Sequence, residues 1–180
     1  MTSLLESIQK NLGYHPLQKI DPNTQDVKIN ERFQALHSLP QAAIPAMACG
    51  ILNGLQSEEG SDIILHGENT NWLQAIFGEK AEELVSRVAN YAGTGLEYTK
   101  QEIIHIANEA VRIIRNSLSR THDQQTIYQY AAMQKNESVL YLPARLHLGD
   151  LIDNNPLDDG THQMKGPISS LMHSIENKFN

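Results

Sequence analysis

The residues with the clearest chemical potential lie along one long apolar segment. Glu102, His105 and Glu109 are three and four residues apart, so a helix would place them on one side. Di-iron bundles use such Glu-x-x-His pairs, but they need a second pair and two further glutamates, and this chain has no second pair. We therefore expect no metal and no cofactor here. A small helical hydrolase or metal-dependent enzyme with a site around Glu102 and His105 is the alternative hypothesis.

Three weaker patterns do not assemble a catalytic set. Four carboxylates lie between Asp150 and Asp159, but this stretch lacks the glycine and the bidentate glutamate of a calcium loop, which favours a solvated loop. Ser7 to Lys10 matches Ser-x-x-Lys without its companion motifs. Cys49, the single cysteine, lies in an uncharged run that predicts a buried, inert thiol. We predict no catalytic residue.

The elements that carry these residues are all predicted to be helical. Apolar residues recur at helical spacing along most of the chain, and no convincing strand alternation appears. The widest apolar stripe runs from Thr99 to Leu118. The sequence therefore predicts an all-α fold, a compact irregular bundle of about six or seven helices around a central helix at 99–118. Val139 to Leu142 is ambiguous and could be extended.

A run of small residues marks another helix, predicted to start close to Pro40 and to end near Leu55. Four of them recur every fourth residue and form a seam: Ala42, Ala46, Gly50 and Gly54. Small side chains let a second backbone approach closely, so we expect the seam to pack against a helix of this chain; a subunit interface is the alternative. Pro45 either kinks this helix or shows that it begins near Ile44.

The chain is expected to form one helical domain over residues 1–165, including an acidic loop at 149–165, followed by a C-terminal amphipathic helix at 166–180. Pro167 suits the first turn of that helix. Five apolar residues would share one docking face, which either its own chain or a neighbour could cover: Ile168, Leu171, Met172, Ile175 and Phe179.

Charge and composition narrow the class of partner. The 180 residues have a net charge of −7 and no cluster of Lys and Arg, which argues against nucleic-acid binding. The longest uncharged stretch, Ser38 to Ser57, contains two prolines and two glycines, so we interpret it as a buried core helix and expect no membrane span. The N-terminus has no secretory pattern, and we expect a soluble, cytoplasmic protein.

Four short segments follow one another along the chain: Ala42–Met47, Gly50-Ile51-Leu52, the Ser57–Gly60 turn and Ile76-Phe77-Gly78. Their order resembles the YidB-like bacterial family of domains of unknown function, over about residues 3–118. Ala48-Cys49 departs from the pattern, because such members favour glycine before Gly50. The resemblance implies a helical bacterial protein and supplies no activity and no site residues.

With no assembled catalytic set, the sequence favours a non-catalytic structural or interaction protein. Its expected partner is a protein, or a second copy of itself.

Overall fold

The computed structural model describes residues 3–21, 34–68, 71–121 and 123–152. In these ranges the fold is an all-α bundle without strands, as the sequence predicts. Seven helices have six or more residues, and a one-turn helix follows: α1 Leu4–Leu12, α2 Gln34–Gly54, α3 Glu58–His66, α4 Trp72–Phe77, α5 Ala81–Ala92, α6 Leu96–Leu118, α7 Gln124–Val139 and α8 Gly149–Ile152.

The helix at the centre of this bundle is α2. Every residue from Ser38 to Leu52 is buried, and α5, α6 and α7 all pack on this helix. In contrast, α6 presents a polar side to solvent that includes His105 and Arg112. The expectation of a central helix at 99–118 is therefore not confirmed. A wide apolar stripe indicates several neighbours, whereas burial on all sides also requires a helix without charged residues, and α2 meets that requirement.

The prolines of α2 neither start it nor end it. The predicted start close to Pro40 and the alternative start near Ile44 are both wrong, because one helix runs through both Pro40 and Pro45. Each proline removes one backbone N–H donor from the helix. Burial of the surrounding apolar side chains offsets this loss, which is why the local signal misleads here.

Helix ends follow local signals at some positions and distant contacts at others. Gly13 and Gly93 end α1 and α5 in left-handed conformations, with φ of 73° and 66°. Ser3, which precedes α1, makes no side-chain capping hydrogen bond, and the N–H of Leu4 donates to the distant Gln134 side chain at 2.8 Å. The predicted helix start at Thr99 is wrong, because α6 starts three residues earlier, at Leu96, and leaves Thr99 buried inside the helix.

The last described residues partly correct the predicted acidic loop. Gly149–Ile152 forms α8, and Leu151 is fully buried. The rest of the loop and the C-terminal helix lie outside the described residues. Across the described ranges, no helix combines the length and apolar character that crossing a membrane requires.

Candidate functional site

We call the side of α6 that carries Glu102, His105 and Glu109 the polar strip. Its two carboxylates accept hydrogen bonds from α1 and from Tyr14, two residues after α1 ends. The Tyr14 hydroxyl donates to Glu102 Oε2 at 2.5 Å, and Asn11 Nδ2 donates to Glu109 Oε1 at 2.7 Å. Arg112 donates to both oxygens of Glu109, from Nε to Oε2 at 2.7 Å and from Nη2 to Oε1 at 2.6 Å. The strip thus holds the C-terminal end of α1 against α6.

These contacts shift the pKa of Glu109 and the pKa of Tyr14. The hydrogen bonds from Arg112 hold the pKa of Glu109 below its usual range, with smaller contributions from Asn11 and the nearby His105. Burial raises the pKa of Tyr14 well above its usual range, and the hydrogen bond to Glu102 raises it further. A carboxylate paired with a guanidinium is a weak base, so the arrangement suits a structural connection better than proton transfer.

The metal-binding side chains and Cys49 also do not assemble into a site in the described part of the chain. No group of three or more His, Cys, Asp or Glu side chains there is placed to hold a metal ion. Cys49 is buried in α2, and burial raises the pKa of its thiol to about 12, although the positive charge of Lys135 acts in the opposite direction. The thiol is therefore protonated and unreactive at neutral pH.

The four seam residues of α2 are all buried, and two of them mark close approaches. At Gly50, an added Cβ would lie 2.7 Å from Ile76 Cγ2 and 2.7 Å from Phe77 Cζ, both on α4. At Gly54, the carbonyl oxygen occupies the space that an added Cβ on Gly60, in the first turn of α3, would need. The seam therefore meets α4 at one position and α3 at the other.

A seven-residue segment, Tyr14 to Ile20, crosses one end of the bundle, and we call it the connector. Its backbone is anchored by the buried side chain of Gln41 on α2. Gln41 Oε1 accepts from the N–H of Gln18, while Nε2 donates to the carbonyls of Gln18 and Tyr141, all at 2.9 Å. The N–H of Ile20 also donates to the Leu140 carbonyl at 2.9 Å. The connector is thus joined to both α2 and the end of α7.

Large exposed apolar side chains flank this connector. Leu96 and Tyr98 lie at the start of α6, where Tyr98 is close enough to the Tyr14 hydroxyl to act on its pKa. Val139 and Leu140 lie at the end of α7, where Leu140 bonds to Ile20. All four are at least half exposed, at 57, 55, 51 and 50%. We call these four residues the connector surface.

Sequence reasoning missed the connector surface and its anchor. The predicted docking face, from Ile168 to Phe179, lies outside the described residues. A buried glutamine such as Gln41 carries no sequence signal of its own, since its partners are 23 and 100 residues away. Exposed leucines are equally inconspicuous in a periodic pattern, because apolar residues are read as core.

Comparison with known proteins adds no relative. No family model, no curated protein and no solved structure matches the chain. The resemblance to the YidB-like family therefore stays a prediction.

Proposed function

We propose that this chain is a non-catalytic interaction protein that associates with a protein partner, or with a second copy of itself, through the connector surface. The observation that carries the proposal is the exposure of four large apolar side chains beside one anchored segment. Scattered exposed apolar residues are ordinary, whereas grouped ones are typical of protein–protein contact sites.

The geometry of the connector keeps these residues within the size of one interface. Six peptide units separate Tyr14 from Ile20, so the Cα atoms of these two residues lie no more than about 22 Å apart. The connector is also held in place between the two pairs, because the Gln41 side chain makes two hydrogen bonds to the backbone of Gln18. A rigid apolar surface loses little conformational entropy on binding.

The polar strip gives no comparable support to the enzyme hypothesis. Glu102 accepts a hydrogen bond from Tyr14, and Glu109 is paired with Arg112. Both carboxylates are thus already hydrogen-bonded, Glu102 to the connector and Glu109 within α6, and His105 is exposed beside them.

Sedimentation velocity tests the self-association form directly. We expect the mass of the full chain to rise with concentration, and the double variant Leu96→Ser/Leu140→Ser to stay at the mass of one chain, because two exposed apolar anchors are removed.

Truncation after Lys165 removes the predicted docking face. We expect it to lower either the number of chains in the assembly or the melting temperature. A full chain that stays monomeric at every concentration would exclude self-association, and truncation that changes neither quantity would exclude a packing role for residues 166–180.

A further inference from the structure

Two histidines that are 22 positions apart in sequence meet beside the connector. His15 lies on the connector and is exposed, and His37 lies in the first turns of α2 and is half-buried. Their ring centroids are 4.3 Å apart, and the ring planes are inclined at 66°. We propose that His15 and His37 together bind one divalent transition-metal ion, with water molecules completing its coordination.

The separation of the rings suits a shared ion. Metal–nitrogen bonds of about 2.0–2.1 Å place two imidazoles on one ion with their centroids roughly 4.5–5 Å apart. The observed 4.3 Å and the edge-on inclination of the rings therefore require a small opening of the pair and a rotation of the exposed His15 ring, which bring one nitrogen of each ring to the ion. One nitrogen from each ring is enough for the ion, and the second nitrogen can keep its own hydrogen bond, as metal-bound histidines usually do.

The backbone on both sides of the pair is already fixed. Gln41 follows His37 by one helical turn, and Gln18 follows His15 by three residues. The hydrogen bonds between Gln18 and Gln41 thus hold the connector against α2 next to the two imidazoles. Ligands held by a rigid backbone lose little entropy on binding a metal, so the pair is preorganised.

Ligand chemistry selects the kind of ion. Imidazole suits zinc, copper and nickel, whereas magnesium and calcium prefer oxygen ligands. The described residues offer no third metal-binding side chain for this pair. Affinity should accordingly be micromolar rather than that of a closed structural zinc site. The net charge of −7 favours the approach of a cation.

Isothermal titration of the full, tag-free chain with zinc chloride and nickel chloride at pH 7.5 tests the proposal. We expect one saturable ion per chain and a loss of affinity of about tenfold or more in both His15→Ala and His37→Ala. Binding should also weaken at pH 5.5, since the ligating imidazoles must be neutral. His105→Ala, which removes an exposed histidine of α6, is the matched control and should bind as the wild type does.

His15→Ala keeps the test valid even if His37→Ala disturbs the fold, because His15 is exposed. Circular dichroism of each variant checks the fold. Undiminished affinity in His15→Ala, or the absence of saturable binding by the folded wild type, would overturn the proposal.

Discussion

Gly50→Leu is expected to lower the free energy of unfolding by about 3 kcal/mol, at the upper end of the range for overpacked cores. A first side-chain carbon at this position already lies 2.7 Å from both Ile76 Cγ2 and Phe77 Cζ. Those side chains are 3 and 1% exposed and are enclosed by the core, so they have no open space to move into. Leucine adds three more carbons in the same direction. Urea denaturation followed by circular dichroism measures the effect.

Two matched variants separate crowding from a general effect of replacing glycine. Gly50→Ala should be less destabilising than Gly50→Leu, since it adds only the first carbon. Gly149→Ala should change stability by less than about 0.5 kcal/mol, because an added Cβ there meets nothing within 4 Å. A Gly50→Leu protein as stable as Gly149→Ala would show that α2 and α4 do not approach closely.

Gly60→Ala should be more damaging than Gly50→Ala, at about 3 kcal/mol or more. The added Cβ would overlap the carbonyl oxygen of Gly54 and lie 2.7 Å from Ser57 Oγ. A backbone oxygen cannot rotate away as a side chain can, so the end of α2 and the start of α3 must separate. Thermal and urea unfolding of the variant measure the cost.

Ser57→Ala measures how much of the loss in Gly60→Ala comes from disturbing the Ser57 cap alone. Ser57 Oγ accepts a hydrogen bond from the N–H of Gly60 at 3.0 Å and caps α3. Losing the cap alone should cost about 1 kcal/mol. Equal losses in Ser57→Ala and Gly60→Ala would mean that the overlap with Gly54 adds nothing and that the two helices are not in backbone contact.

Local sequence signals recovered the fold class and many helix ends. Gly13 and Gly93 end their helices because the left-handed conformation costs glycine little, and this preference is written in the residue itself. Asn71 and Asp123 cap α4 and α7 through their side chains. The unbroken course of α2 through Pro40 and Pro45 could not be read in this way, since it depends on neighbours that are distant in sequence.

The candidate sites also combine features that the sequence predicts with features that depend on contacts between distant residues. Placing Glu102, His105 and Glu109 on one side of a helix needs only helical geometry. Their partners Asn11 and Tyr14 are 98 and 88 residues away and become apparent only in three dimensions. The His15–His37 pair and the connector surface arise likewise from the packing of separate elements, so no spacing in the sequence announces them.

The central claim is that the connector surface binds a protein. Affinity capture from the native cell, quantified by mass spectrometry, tests it most directly with three full-length baits: wild type, Leu96→Ser/Leu140→Ser and Met133→Ser. Met133 is the control of similar exposure, at 49%, because it lies outside the four residues of the connector surface, seven positions before Leu140 in α7. The account predicts a protein, or additional copies of the chain itself, recovered equally by wild type and Met133→Ser and reduced roughly tenfold with the double variant. Equal recovery of every captured protein by all three baits would contradict it.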